Sequence, residues 1–314
     1  MHITCQTMLP LAWYMPYYLW ANNGFNRDML MLESVTMDKG VYEYMLLGGR
    51  EFWWGRKTYV MGVLNITSDS FSGDGVGKDV EAALARAKRL VDEGADVIDV
   101  GGESTRPDSK PVTLEEEIDR VLPVVEALSG EVGVPVSVDT YKSGVARCAL
   151  EAGANIINDV WGLRQDPELA RVAAEWGVPL VITANQRDSQ YSDIMTAVIE
   201  SLVTGMNLAL DAGVAWENII IDPGIGFGKT FEGNLEVLRR LGDLKSLGRP
   251  ILLGTSRKSM IGLVLDLPVH ERLEGTAATV ALGIANGADI IRVHDVLQMK
   301  RVAKMADAVV RGSC

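Results

Sequence analysis

Two polar loops near the start of a repeating pattern hold most of the residues able to do chemistry. Asn65 ends the apolar run TYVMGVLN (58–65) and opens ITSDSFSGDG (66–75). Gly101 to Pro107, GGESTRP, follows a second apolar run. Together they supply hydroxyls, carboxylates, one amide and the Arg106 guanidinium. Later apolar runs end in polar groups too. These are Asp139, Asn158 with Asp159, Thr183 with Asn185, Asp222, Ser256 to Ser259, and Arg292 with His294. Asp139, Asn158 and Asp222 are acceptors suited to a flat heterocycle with ring N–H and amino groups. Each carboxylate alone could simply cap the next helix. Three polar strand ends in succession argue for a site. SRKS (256–259), Arg292 and His294 add cations and donors suited to phosphate oxygens.

The elements that position these groups recur from about Tyr59 onward: apolar strand, polar loop, amphipathic helix. Eight units are legible. The strands are 58–65, 96–100, 135–139, 155–159, 179–184, 218–222, 250–255 and 289–293. The intervening helices fall at 79–93, 113–128, 143–152, 167–176, 193–212, 232–242, 271–287 and 295–310. TLEE at Thr113 to Glu116 is a capping box. Gly94-Ala95-Asp96, Gly153-Ala154-Asn155 and Gly287-Ala288-Asp289 punctuate a regular helix-to-strand turn. Strands apolar on both faces belong to a sheet covered on both sides. The expected fold is α/β, a single-domain (β/α)8 TIM barrel over 56–314, with residues 1–55 as an N-terminal extension. An open doubly wound sheet is the rival. The site then lies at the C-terminal rim of the strands.

Composition narrows the class. The 314 residues carry a net charge of -12, which argues against a nucleic-acid partner. Cys5, Cys148 and Cys314 have no metal-ligand spacing. They fit a reducing compartment, with Cys148 as a small core residue on its helix. MLPLAWYMPYYLWA (8–21) is apolar and aromatic but too short to span a bilayer, and it lacks a basic leader. Met29, Met31, Met37 and Met45 follow it, each a candidate start. DPGIGFGK (222–229) lacks Walker spacing, and reads better as a tight strand-end loop presenting Asp222, Phe227 and Lys229.

NITSDSFSGDG, GGESTRP, SVDT, IND, DPGIGFGK, SRKS and RVHDV occur in this order over 60–300. This set resembles the dihydropteroate synthase family of folate-pathway transferases. The resemblance implies that para-aminobenzoate displaces diphosphate from 6-hydroxymethyl-7,8-dihydropterin diphosphate. It implies Mg²⁺ held at Asn65. It places Thr105, Arg106, Arg292 and His294 against the diphosphate, and Asp139, Asn158, Asp222 and Lys258 around the pterin. Phe71, Pro107, Phe227, Lys258 and Ser259 correspond to the aminobenzoate site. Asp139, Lys258 and Arg292 are the expected catalytic residues. The family also implies a cytoplasmic homodimer joined through late helices, with small-molecule substrates and neither a nucleic-acid nor a membrane partner.

The chain departs from the family pattern in three places. After the fifth strand it reads ITANQRDSQ (182–190) in place of a Met-His segment, leaving Asn185 or Gln186 as the substitute. Ser68 stands where Pro is usual, and Asp108 where Gly is common. These changes raise the expectation of a sulfonamide-tolerant version. Two other readings stay open: a methyltetrahydrofolate-dependent methyltransferase on the same kind of barrel, and a pterin-binding protein without turnover.

Overall fold

In a computed structural model, residues 44–66, 80–104, 109–187 and 191–312 are described. The extension before residue 44 lies outside them, as do Thr105, Arg106, Pro107, Asp108, Ser68 and Phe71.

The eight repeats close into a barrel. Its strands are β3 (Tyr59–Asn65), β4 (Val97–Gly101), β5 (Val136–Asp139), β6 (Ile156–Asp159), β7 (Leu180–Thr183), β8 (Ile219–Asp222), β9 (Leu252–Leu253) and β10 (Ile290–Val293). They pair in parallel in the order β8-β7-β6-β5-β4-β3-β10-β9. A parallel bridge from Ile221 to Ile251 joins the two ends. Closure leaves the eight-stranded sheet without an edge strand. It also decides against the open doubly wound sheet.

Each strand feeds an outer helix. These are α1 (Val80–Asp92), α2 (Leu114–Ser129), α3 (Ser143–Glu151), α4 (Glu168–Trp176), α5 (Ile194–Asp211), α6 (Phe231–Arg239), α8 (Leu273–Ala285) and α9 (Val296–Val310), with a short α7 (Ser259–Leu265) before α8. The sequence pattern had not separated α7 from the loop before it. Thr113 accepts from the Glu116 N–H at 3.2 Å, as the capping box requires. Gly94, Gly153 and Gly287 turn helix into strand at φ of 105°, 106° and 100°. A side chain is strained in that region, which explains the repeated phrase. By length and composition α5 is apolar enough to cross a membrane. It joins β7 to β8, and Met195, Val198, Leu202 and Met206 are buried on it, so its apolar face has a partner in the barrel. Cys148 on α3 is half-buried and free, not a core residue, because Val145, Ala146, Ala149 and Leu150 form the buried face.

Strand alternation splits the interior in two. Val60, Leu64, Ile98, Val100, Val138, Ile157, Ile221 and Ile291 point outward to the helices. Met61, Val97, Ile156, Val181, Ile220, Leu252 and Ile290 form a separate cluster inside the ring, near the strand starts. One turn of alternation further along, the same inward face carries Asp99, Asn158, Thr183, Asp222 and Arg292. The lumen is therefore apolar at one end and polar at the other.

A hairpin seals the apolar end. β1 (Tyr44–Leu47) and β2 (Arg50–Trp53) pair antiparallel, and their Met45, Leu47 and Phe52 join the inner cluster. Each such buried side chain contributes about 2 kcal/mol. Residues 44–53 had been read with the extension, because two four-residue strands joined by Gly48-Gly49 carry little periodic signal. At the other terminus Asp307 on α9 accepts from the Thr58 N–H at 2.7 Å and hydroxyl at 2.8 Å. The last helix thereby grips the residue that begins the barrel.

Candidate active site

The register of the parallel sheet sets Asn65 beside Gly101, Gly101 beside Asp139, and Asp139 beside Asn158. Thr183 lies beside Asp222 on the far side. These strand ends share one layer, and the rim is built from them.

Arg292 crosses the lumen from β10. Its Nε donates to Asp99 Oδ2 at 2.6 Å, and its second nitrogen reaches Asp139 Oδ2 at 2.5 Å. Asn158 Nδ2 donates to the same Asp99 oxygen at 3.1 Å. Four strands are thus tied through one guanidinium and two carboxylates. Burial lowers the pKa of a guanidinium, but Asp99 and Asp139 outweigh it, so the Arg292 pKa is raised and the charge is permanent. Asp139 shows the opposite balance. Burial, only partly offset by Arg292, pushes its carboxyl up to about 7, with Asp99 and Glu117 adding repulsion. Burial also raises Asp222, although the Gly224 N–H donates to its Oδ1 at 2.7 Å.

Among the described residues, several inward-facing acceptors and hydroxyls have no hydrogen-bond partner: Asp99 Oδ1, Asp139 Oδ1, Ser137 Oγ and Thr183 Oγ1. Buried polar atoms are costly when unbonded, and natural proteins keep few of them. Here they are concentrated in one lumen. Asp99 was missed in the sequence because it sits mid-strand in DVIDV rather than at the strand end. A charge inside a strand covered on both faces demands a partner, and that was the available signal.

Lys258 precedes α7 with its Nζ 4.3 Å from the centre of the Phe227 ring. Burial, then Arg292, pulls its pKa down to about 8. Gly226 makes this approach possible, since a Cβ there would stand 3.1 Å from Lys258 Cδ. Ser259 is exposed at the start of α7. Arg257 holds Asp295 with both Nε and a terminal nitrogen, at 3.0 and 2.6 Å, so its charge is committed there.

His294 lies between these cations. Burial and the nearby Arg292 and Arg257 push its pKa down to about 3, so the ring is neutral. Ser256 Oγ accepts from the His294 backbone N–H at 3.2 Å and sits 3.0 Å from Nδ1. The hydroxyl therefore orients both the backbone and the ring of His294.

Lys229, Asn185 and Gln186 have other duties. Lys229 is not presented to a ligand. Its Nζ donates to the carbonyls of Ala184 at 2.7 Å, Gly224 at 2.8 Å and Phe227 at 3.4 Å. Burial holds its pKa down at about 7. It stitches the loop after β8 onto the loop after β7. Asn185 is fully buried, donating to Val160 O at 2.9 Å and accepting from the Arg187 N–H at 3.0 Å. Gln186 donates to Ala197 O at 3.1 Å. Neither amide is therefore a ready replacement for the histidine of the usual pattern. The guanidinium of Arg187 reaches the rim, 5.5 Å from the Phe227 ring and 5.6 Å from Trp161. Asp159 turns away from the lumen to accept from Trp161 and Leu163 N–H groups at 2.8 and 2.5 Å.

A barrel with polar strand ends, buried acceptors and cations around one lumen has the form of an enzyme whose site lies at the C-terminal ends of its strands. Residues 61–294 match the family model described as pterin binding enzyme. The chain is 53% identical over 268 residues to the dihydropteroate synthase of Clostridium beijerinckii, covering 85% of this chain and all (100%) of that one. Over 253 residues it is 53% identical to that of Bacillus subtilis, covering 81% and 89%. A solved dihydropteroate synthase from Clostridium difficile, in the presence of pteroic acid, superposes with TM-score 0.79 at 50% identity, covering 82% and 98%. One from Xanthomonas albilineans with 4-aminobenzoic acid gives TM-score 0.81 at 40% identity, covering 85% and 98%. The chain belongs to the dihydropteroate synthases, transferases of folate biosynthesis. The methyltransferase reading is not favoured.

Proposed function

We propose that the lumen holds the dihydropterin ring of 6-hydroxymethyl-7,8-dihydropterin diphosphate, with Asp139, Lys258 and Arg292 as the catalytic residues. Asp139, Asn158 and Asp222 accept from the ring N–H and amino groups. Arg292 and His294 face the diphosphate, together with Thr105 and Arg106 of the second loop. Para-aminobenzoate enters beside Phe227 and Lys258, flanked by Phe71 and Ser259. The carbon–oxygen bond breaks and the diphosphate leaves with the electron pair. The arylamine nitrogen then bonds to the methylene carbon and loses a proton. Asp139, as carboxylate, lowers the energy of the cation that develops on the pterin. An arylamine is a weak base, so no strong general base is needed to accept that proton.

The single observation that carries this assignment is the Arg292–Asp139 contact at 2.5 Å inside a ring of unsatisfied acceptors. Calorimetric binding of 6-hydroxymethylpterin tests it. Asp222→Ala and Asn158→Ala should each weaken binding at least tenfold, about 1.4 kcal/mol. Unchanged affinity in both variants would remove the pterin from the lumen.

The proposed metal site is Asn65. Among the described residues no group of three His, Cys, Asp or Glu side chains could hold a metal ion. One amide oxygen nevertheless suits Mg²⁺, which keeps its waters and takes phosphate oxygens from the substrate. Opposite it, Gly101 leaves room: a Cβ there would stand 3.6 Å from both Asn65 Oδ1 and Asp139 Oδ2. Mg²⁺, when bound, neutralises leaving-group charge.

The proposed assembly is a homodimer. Leu263, Leu282, Met305 and Val309 on α7, α8 and α9 are 68%, 57%, 66% and 73% exposed, and these late helices are the proposed contact. Sedimentation equilibrium checks it. Cytoplasmic placement is proposed on the free Cys148 thiol, which fits a reducing compartment. Sulfonamide tolerance is proposed on Ser68 and Asp108, both outside the described residues; competition of a sulfonamide against para-aminobenzoate decides it.

A further inference from the structure

Beside the lumen lies a charged cluster with no part in the steps above. Lys142 follows Asp139 in the connection after β5 and is 16% exposed. Its ammonium donates to Glu103 Oε2 at 2.5 Å, to Glu117 Oε2 at 2.5 Å and to the Val112 carbonyl at 2.8 Å. Glu103 lies just past the end of β4, and Val112 lies just before α2. The second polar loop therefore leaves the barrel and rejoins it against one ammonium.

Neighbouring groups reinforce the same two points. Arg120 on α2 donates to Gly102 O at 3.0 Å, and the Ser109 hydroxyl donates to Ser104 O. The Tyr141 hydroxyl lies 3.4 Å from each Glu103 oxygen, and Lys142 Nζ sits 4.9 Å from the Tyr141 ring. Glu117 is 1% exposed. Two carboxylates this deep stay together only with a cation between them. Apolar residues in place of all three charged groups would fill the same space without desolvation cost, so the triad is an unusual choice for mere packing.

We propose that Lys142 is a positioning residue for the transfer reaction. Its charge fixes the loop's point of departure at Glu103 and its point of return at Val112, and so sets how the residues between them meet the substrates. The inference rests on the reading that Thr105 and Arg106 contact the diphosphate.

The test compares Lys142→Met, Lys142→Arg and Glu103→Gln in the full chain. Each is measured for thermal midpoint, for steady-state kinetics with both substrates, and for binding of 6-hydroxymethylpterin, which lacks the diphosphate. For Lys142→Met the expected result is a rise of at least tenfold in KM for the dihydropterin diphosphate, with pterin affinity changed less than threefold. Lys142→Arg, which keeps the charge, should restore KM to within fivefold of the wild type. If Lys142→Met does not fold, Glu103→Gln carries the test, with the same split at smaller size. A folded Lys142→Met with wild-type KM overturns the proposal. So does equal loss of pterin and diphosphate affinity, or failure of Lys142→Arg to restore KM. Should Lys142→Met fail to fold, wild-type kinetics in Glu103→Gln overturns it too. Arg106→Met separates the underlying reading: unchanged KM there, beside a raised KM in Lys142→Met, sinks the diphosphate role of Arg106 and leaves the loop anchor standing.

Discussion

Arg292 and Asp139 are 153 residues apart in the chain and 2.5 Å apart in the barrel, and the second Asp139 oxygen has no hydrogen-bond partner among the described residues. One oxygen is held by a permanent cation while the other faces the lumen. The carboxylate is thus aimed before any ligand arrives, which is the condition for strong electrostatic stabilisation of a developing charge.

Asp139→Asn keeps the shape of that side chain and removes its charge. Turnover should fall by about 10²–10³, the range seen when one preorganised electrostatic group is lost. Pterin affinity should fall much less, because Asn158 and Asp222 remain. Steady-state kinetics beside calorimetry gives both numbers, and equal losses would make Asp139 a binding group only.

The same carboxyl sets a pH dependence. Burial raises its pKa from 3.8 to about 7, so the active carboxylate is lost as pH falls through about 7. The acid limb of kcat/KM should therefore turn near neutrality. Stability runs the other way. With the folded value raised, the favourable contribution is complete below 3.8 and is lost as pH rises through about 7. The thermal midpoint of Asp139→Asn, relative to wild type, should climb across that window and level off above it. An acid limb near 4 would show that another group controls the rate.

Lys229→Met tests the stitch between the loops after β7 and β8. It strands the carbonyls of Ala184, Gly224 and Phe227. At about 1–3 kcal/mol for each buried acceptor, and with local relaxation, a loss of about 2–4 kcal/mol is expected in denaturant unfolding. Gly224→Ala attacks the same junction, since its Cβ would meet Ala184 O at 2.1 Å with φ at +69°. Wild-type stability in both variants would show that the junction is not needed.

Phe52→Ala probes the hairpin at the apolar end of the lumen. The ring is 2% exposed and lies 4.3 Å from that of Tyr59. Truncation should cost about 3–5 kcal/mol. Turnover per folded molecule should hold, because the rim lies at the opposite end of the strands. A variant as stable as wild type would mean that the hairpin is not a plug.

Much of this was legible in the residues. Eight β-branched runs, the Gly-Ala-Asx turns and the TLEE cap give the barrel. The polar strand ends give Asp139, Asn158, Asp222, Lys258 and Arg292. What was not legible depends on contacts between distant segments. Asp99 looks like one polar residue inside a strand until Arg292 is seen against it. Lys229 and Asn185 read as ligands, because nothing local shows the carbonyls they hold. The hairpin is too short for periodicity to register, and its role appears only when the lumen it fills exists.

The most direct measurement of the central claim is release of diphosphate from 6-hydroxymethyl-7,8-dihydropterin diphosphate on addition of para-aminobenzoate, followed in wild type and Asp139→Asn. The account predicts one diphosphate per dihydropteroate formed in the wild type, at a rate cut by about two to three orders of magnitude in the variant. Release that proceeds equally fast in Asp139→Asn would contradict it.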